Sequence, residues 1–226
     1  MMVTPSAKAF LMITCLVIPV LAVRTASRIH RQGRIPTRSQ HLASVFVSQG
    51  MMLFLASSAA RYDEIPLFPP PSFGAMNVVA AFAFLAPTLG TLPMRWRWKS
   101  GAEKSRMMWM LPHGAQDLWW WALVALIAGI VEEIVYRGVM VTLWQRILGS
   151  WVAAVAVCVA VFSISHFVQG WRAMVMIAAI AAAAHLIVRA TGDLYTAMLV
   201  HFIYDFFAGM ILLRLARRDG VPSRAA

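Results

Sequence analysis

Apolar residues fall into seven long runs, separated by short polar segments. The runs are about Ala7–Val23, His41–Ala60, Phe73–Met94, Leu118–Leu148, Trp151–Phe167, Ala173–Ala190 and Leu194–Leu213. Crossing a bilayer takes ~20 apolar residues. In lipid, a span must pair its own backbone groups, which an isolated run achieves as a helix. The pattern therefore predicts an all-α, polytopic transmembrane helical bundle of about seven spans, within a range of six to eight. Residues 1–117 form three N-terminal spans with basic loops, 118–213 a helical core, and 214–226 a basic tail. The fourth run covers 31 residues from Leu118 to Leu148, too many for one simple crossing. A bend or break near Gly129 or Gly138 is expected. The segment between Arg106 and Leu118 reads three ways: a surface helix, a re-entrant piece, or the start of the fourth span.

Composition agrees with this pattern. Of 226 residues, 61% are hydrophobic and 13% charged, where a soluble domain carries about 25% charged residues. No room is left for a separate soluble domain. The formal net charge of +11 would suggest nucleic acid in a soluble protein. Here the basic residues lie between apolar runs, so they report orientation and contact with membrane lipids, and no nucleic-acid partner is expected. Fifteen of the 20 Lys and Arg lie in Arg24–Arg38, in Arg95–Arg106, at Arg172 and in the tail from Arg214. Lys8, Arg61, Arg146 and Arg189 lie on the other side. By the positive-inside rule the C-terminus is cytoplasmic and the N-terminus is outside. The basic cluster follows the first run instead of preceding it, which favours an uncleaved anchor over a signal peptide. W96-R97-W98 and W119-W120-W121 read as interfacial aromatic belts. The proline-rich loop from Arg61 to Pro71 reads as a short extended connection, and A181-A182-A183-A184 as a surface for close helix approach.

Against this apolar background a few ionisable residues stand out. Each costs about 2.5–3.5 kcal/mol near a span centre, so an intramembrane ionisable group reads as functional by default. The first group is E132-E133-I134-V135-Y136-R137. Glu133 and Arg137 are four apart and can pair on one helix face. Glu132 is turned by about 100° from Glu133, which leaves it the freer carboxylate and suits it to general-base work. The second group is F162-S163-I164-S165-H166, and the third is H201-F202-I203-Y204-D205. Three spans with such residues can relieve their joint cost by meeting in one cavity. A carboxylate and two imidazoles can activate water and stabilise an oxyanion, which hydrolysis requires. Ser163 and Ser165 lack the strand–turn–helix setting of a nucleophile elbow, and no H-E-x-x-H is present. The rival reading is a non-enzymatic membrane protein, either a proton-relay transporter or a peptide-binding immunity factor.

Other candidates have plainer readings. Cys15 and Cys158 carry no metal or disulfide spacing and read as small buried residues. His185 reads as packed or bonded between helices, and Arg189 and Asp193 as end anchors. His30, His41 and His113 read as solvated. One inconsistency remains in the pattern. His201 lies about eight residues into its run while His166 is near the end of its own, so either the boundaries shift or the fifth helix starts after Trp151.

The three groups resemble the E-E-x-x-x-R, F-x-x-x-H and H-x-x-x-N/D motifs of the CPBP family, also called type II CAAX-protease and bacteriocin-processing proteins. Order and spacing agree, and the resemblance covers about residues 118–213. It implies an intramembrane endopeptidase of a bacterial cell (inner) membrane, with a lipidated or membrane-associated polypeptide as substrate. Glu132 would activate water and His166 would help to position it. His201 and Asp205 would stabilise the oxyanion, while Glu133, Arg137 and Phe162 would support the site. Many members have asparagine where this chain has Asp205. An ionised aspartate cannot donate a hydrogen bond, so Asp205 is either protonated or orients His201. The glutamate–water mechanism needs no cofactor. The alternative is Zn²⁺ held by His166, His201 and Glu132.

Overall fold

The computed structural model describes residues 3–32, 37–71, 73–108, 111–112 and 115–221. Its secondary structure is helical throughout. Helices α1 (Pro5–Met12) and α2 (Ile18–Gln32) form one rod through a π-helical turn at Ile13–Val17. Then come α3 (Arg38–Tyr62), α4 (Ala75–Gly90), α5 (Leu92–Arg97) and α6 (Gly101–Met108). The last five are α7 (Ala115–Glu132), α8 (Val141–Leu148), α9 (Trp151–Ser165), α10 (Trp171–Thr191) and α11 (Tyr195–Arg218). Among the described residues, six helical stretches are long and apolar enough to cross a membrane, and α9 is a shorter apolar helix. The chain is an integral membrane protein built as a polytopic helical bundle.

The fourth run does not break, but its helical geometry changes over a segment that contains Gly138. From α7 it passes into a π-helix over Glu133–Met140 and on into α8. The N–H of Val141 bonds the carbonyl of Tyr136, five residues back. A π segment widens the helix without ending it, and such segments gather at functional sites. All eight residues of this one are buried. Gly129 and Gly138 also permit close approach. A β-carbon on Gly129 would lie 3.0 Å from Phe202 N and 3.2 Å from Met198 O, so α7 and α11 cross almost backbone to backbone there. A β-carbon on Gly138 would meet Leu67 of the proline-rich loop at 2.9 Å. That loop is extended, and Tyr195 fastens it by donating its hydroxyl to Pro69 O at 2.9 Å.

Helix α9 starts at Trp151, where Ser150 caps it by accepting from Ala153 N, so a later start does not reconcile the histidine depths. The boundaries give a different solution. Sixteen residues carry the chain from Glu132 to Leu148, and fifteen return it from Trp151 to His166. At ~1.5 Å per residue both arms are about 23 Å long, so His166 comes back to the level of Glu132. The stretch before α7 holds the short helix α6, whose Met108 is buried with Leu92 and Trp96 against α11. Two tryptophans leave their expected belts. Trp96 is fully buried and donates to Asp219 at 2.8 Å; Trp121 lies over Gly209 and donates to Phe206 O at 3.2 Å. Trp98, Trp119 and Trp120 do face outward.

Candidate active site in the membrane-embedded cavity

A cavity of about 430 Å³ runs through the bundle, and its walls bring the three charged groups together. Glu132, Glu133, His166, His201 and Asp205 all line it. Arg95, Lys99 and Arg172, which belong to the basic segments of the chain, line it too.

The two adjacent glutamates have different surroundings. The Glu133 side chain is wholly buried, and its Oε1 accepts from Arg137 Nη1 at 3.0 Å. The same oxygen meets His201 Nδ1 at 2.7 Å. Arg137 also donates to the carbonyl of Ala181 at 3.4 Å, a reach that the small side chains of α10 permit. The Arg137 guanidinium stands 4.8 Å over the Phe162 ring. Phe162 in turn packs edge-on against Tyr136, with ring centres 4.9 Å apart. This ion pair is sequestered from water, so removing one partner leaves a buried charge uncompensated.

Glu132 is turned towards the cavity, with 12% of its side chain exposed. Its Oε1 accepts from Gln49 Nε2 on α3 at 2.9 Å. Its Oε2 is 3.8 Å from His201 Nε2, too far for a direct hydrogen bond. Asp205 Oδ2 is 3.5 Å from the same nitrogen, so His201 stands between three carboxylates. His166 caps the end of α9, and its Nδ1 bonds Phe162 O at 2.8 Å. A carbonyl only accepts, so Nδ1 carries a proton and Nε2 is the ring nitrogen left for another partner. Phe162 stacks 4.5 Å from the His166 ring and thereby links both sides of the site.

A zinc ion would draw on Glu132, His166 and His201. Among the described residues no three or more His, Cys, Asp or Glu side chains are grouped to hold a metal ion. His201 bonds Glu133 and His166 bonds Phe162 O, each through Nδ1, the kind of outer bond that metal-ligating histidines also make. Glu132, His166 and His201 line one cavity without converging on one point.

Several residues depart from their sequence-based readings. Gln49 was not anticipated as part of the site. Its signal was a polar residue inside the second apolar run, spaced by four from Val45 and by eight from His41. His41 is half-buried and lines the cavity with them, contrary to the solvated reading. His113 and the side chain of His30 lie outside the described residues. His185 is buried in α10. Arg189 stacks 4.4 Å over Trp151, and Asp193 caps α11 by accepting from Tyr195 N at 2.9 Å. Both are end anchors. Cys15 and Cys158 are unpaired, half-buried and buried respectively.

The fold and cavity define an integral membrane helical bundle with a carboxylate–histidine cluster in its interior. Residues 114–207 match the model of a family described as type II CAAX prenyl endopeptidase Rce1-like. That span takes in all three motifs of the CPBP resemblance and leaves the first three spans outside. The uncharacterized protein YpbD of Bacillus subtilis (strain 168) is 32% identical over 99 residues, covering 42% of this chain and 48% of the relative. The aligned stretch thus spans about half the length of that relative. No solved structure matches the chain.

Proposed function

We propose that this protein is an intramembrane endopeptidase that cleaves a membrane-associated or lipidated polypeptide with water activated by Glu132. The observation that carries the reading is the unlike setting of the two glutamates. Glu133 is locked to Arg137 and His201, while Glu132 keeps an oxygen open to the cavity. Similarity to the type II CAAX prenyl endopeptidase family supports the reaction class.

In this mechanism Glu132 Oε2 takes one proton from water as its oxygen attacks the peptide carbonyl carbon. His166, through Nε2, accepts the other water hydrogen and fixes the line of attack. His201, doubly protonated, donates through Nδ1 to Glu133 and offers Nε2–H to the developing oxyanion. Asp205, as an acceptor 3.5 Å away, steers that N–H. This favours an orienting role for Asp205 over direct donation. The intermediate collapses when Glu132 passes its proton to the leaving amine, which gives one acid and one amine. No step passes through a metal.

The positive-inside asymmetry supports a cytoplasmic C-terminus and puts Arg95, Lys99 and Arg172, which line the cavity, on the inner side of a bacterial cell membrane. Peptides would enter from that side. The test is cleavage of an internally quenched peptide, carrying a farnesylated cysteine near its carboxyl terminus, by the full chain in vesicles. Glu132→Gln should abolish cleavage and leave the protein folded in the membrane. Full activity in that variant would remove the assignment.

A further inference from the structure

We infer that Gln49 is a positioning residue for Glu132: its amide ties down Oε1 so that Oε2 alone is presented to water. The inference rests on reading Glu132 as the base and extends the site into the first three spans. Three observations carry it. First, the Gln49–Glu132 bond of 2.9 Å joins residues 83 positions apart, across the α3–α7 contact. Second, Gln49 is only 6% exposed, and among the described residues its own Oε1 has no hydrogen-bond partner. An amide buried for packing alone would have its carbonyl satisfied, or be replaced by an apolar side chain of equal length. Half of this amide is desolvated without return, and the other half is directed at one carboxylate oxygen. Third, His41, Val45 and Gln49 lie four apart and all line the cavity, so this face of α3 is one of its walls. The helix holds that register through a capping box, in which Thr37 and Gln40 bond each other's backbone N–H.

The chemical consequence concerns the carboxylate's freedom. Untethered, Glu132 rotates about its last torsion and presents either oxygen, or swings to His201. With Oε1 held by Gln49, the proton-accepting lone pair of Oε2 keeps one direction. The 3.8 Å gap from Oε2 to His201 Nε2 leaves room for a water to bridge the two groups.

The experiment uses the full chain in detergent with the farnesylated quenched peptide as probe. Gln49→Met removes the donor and keeps the length. It should lower kcat about 10–100-fold, the scale of a misplaced catalytic group. KM should stay within about twofold and the melting temperature should not fall. Gln49→Glu should lose more, because it sets a like charge against Glu132. Gln49→Asn keeps an amide that is too short, and should lose kcat in the same direction if the methionine variant folds poorly. In a Glu132→Gln background, Gln49→Met should leave the residual rate within about twofold, because a group acting through Glu132 has nothing left to position. A separate arm needs no turnover. The carboxyl band isolated by infrared difference between wild type and Glu132→Gln should shift in Gln49→Met. Unchanged kcat in both Met and Asn variants, or an unshifted band, overturns the inference. Failure of the base assignment looks different: Glu132→Gln would cleave as well as wild type. If the wild type leaves the probe intact, the infrared arm decides the inference.

Discussion

Glu132 and Glu133 are neighbours in sequence and opposites in environment. Glu133 lies in a closed half of the site, among Arg137, Phe162, Tyr136 and α10. Glu132 lies in an open half, among Gln49, His201 and the cavity. The closed half has few degrees of freedom left, because both Arg137 and His201 converge on one Glu133 oxygen. The open half holds its groups more loosely, at 3.5 and 3.8 Å, and Glu132, His201 and Asp205 all line the cavity. One helix turn thus separates anchoring from chemistry, and His201 bridges them with a ring nitrogen in each half.

That contrast can be broken in order of expected effect. Glu132→Gln should lower kcat by about 10²–10⁴-fold, the usual contribution of a general base, with an unchanged melting curve. Arg137→Ala should do the reverse of that pattern. It strands Glu133 in a buried setting and should cost about 3–5 kcal/mol of stability, read as lost yield and a lower unfolding midpoint. An Arg137→Ala protein with wild-type yield and stability would contradict the anchoring role of the closed half. Gly129→Val pushes on the crossing that holds both halves together. With a β-carbon only 3.0 Å from the α11 backbone, it should cost about 1–3 kcal/mol by overpacking. It should also lower activity by moving His201 away from Glu133. The smallest effect is expected outside both halves, at the Asp219 carboxylate. Its bonds from Lys104 Nζ and from Trp96 Nε1 hold it down to about 2. A depressed carboxylate contributes above its ordinary range and loses that contribution as pH falls through about 2. The melting temperature should therefore show no Asp219 step between pH 8 and pH 5, and a step there would refute the pairing.

The closed half was the more legible in sequence. Glu133 and Arg137 are local partners at helical spacing, and the cost of charge in lipid makes them conspicuous. The spans were legible for the same reason, since a bilayer imposes length and apolarity directly. The open half depends on contacts that sequence spacing does not encode. Gln49 has its partner 83 residues away, and a lone glutamine in an apolar run looks like a tolerated polar residue until the facing carboxylate is known. His41 read as solvated because it begins a run, yet α3 turns it towards the cavity. The two tryptophan clusters failed in a similar way. Trp98, Trp119 and Trp120 are exposed, but Trp96 is fully buried and Trp121 half-buried, each with a hydrogen-bond partner, Trp121 over Gly209. The irregularity expected near Gly138 is a π segment, which changes the residues per turn without breaking the helix.

That π turn has a consequence for insertions and deletions. It has i→i+5 bonds and more residues per turn than the α-helix on either side, and so it sets the rotational phase of everything downstream. Arg146, on the far side of it, reaches the carbonyl of Asp63 at 2.7 Å, while the Asp63 carboxylate bonds Thr4 at the head of α1. A deletion inside the π segment is absorbed there by a return to α geometry, whereas deleting one residue of α8 between 141 and 145 has no surplus to draw on and turns Arg146 by about 100° around the helix axis. The outer clasp between the first, second and fourth spans would then lose its key, although no clasp residue had been changed. The chain can be read there like a combination lock, in which a count of residues, more than their identity, decides whether the two ends engage.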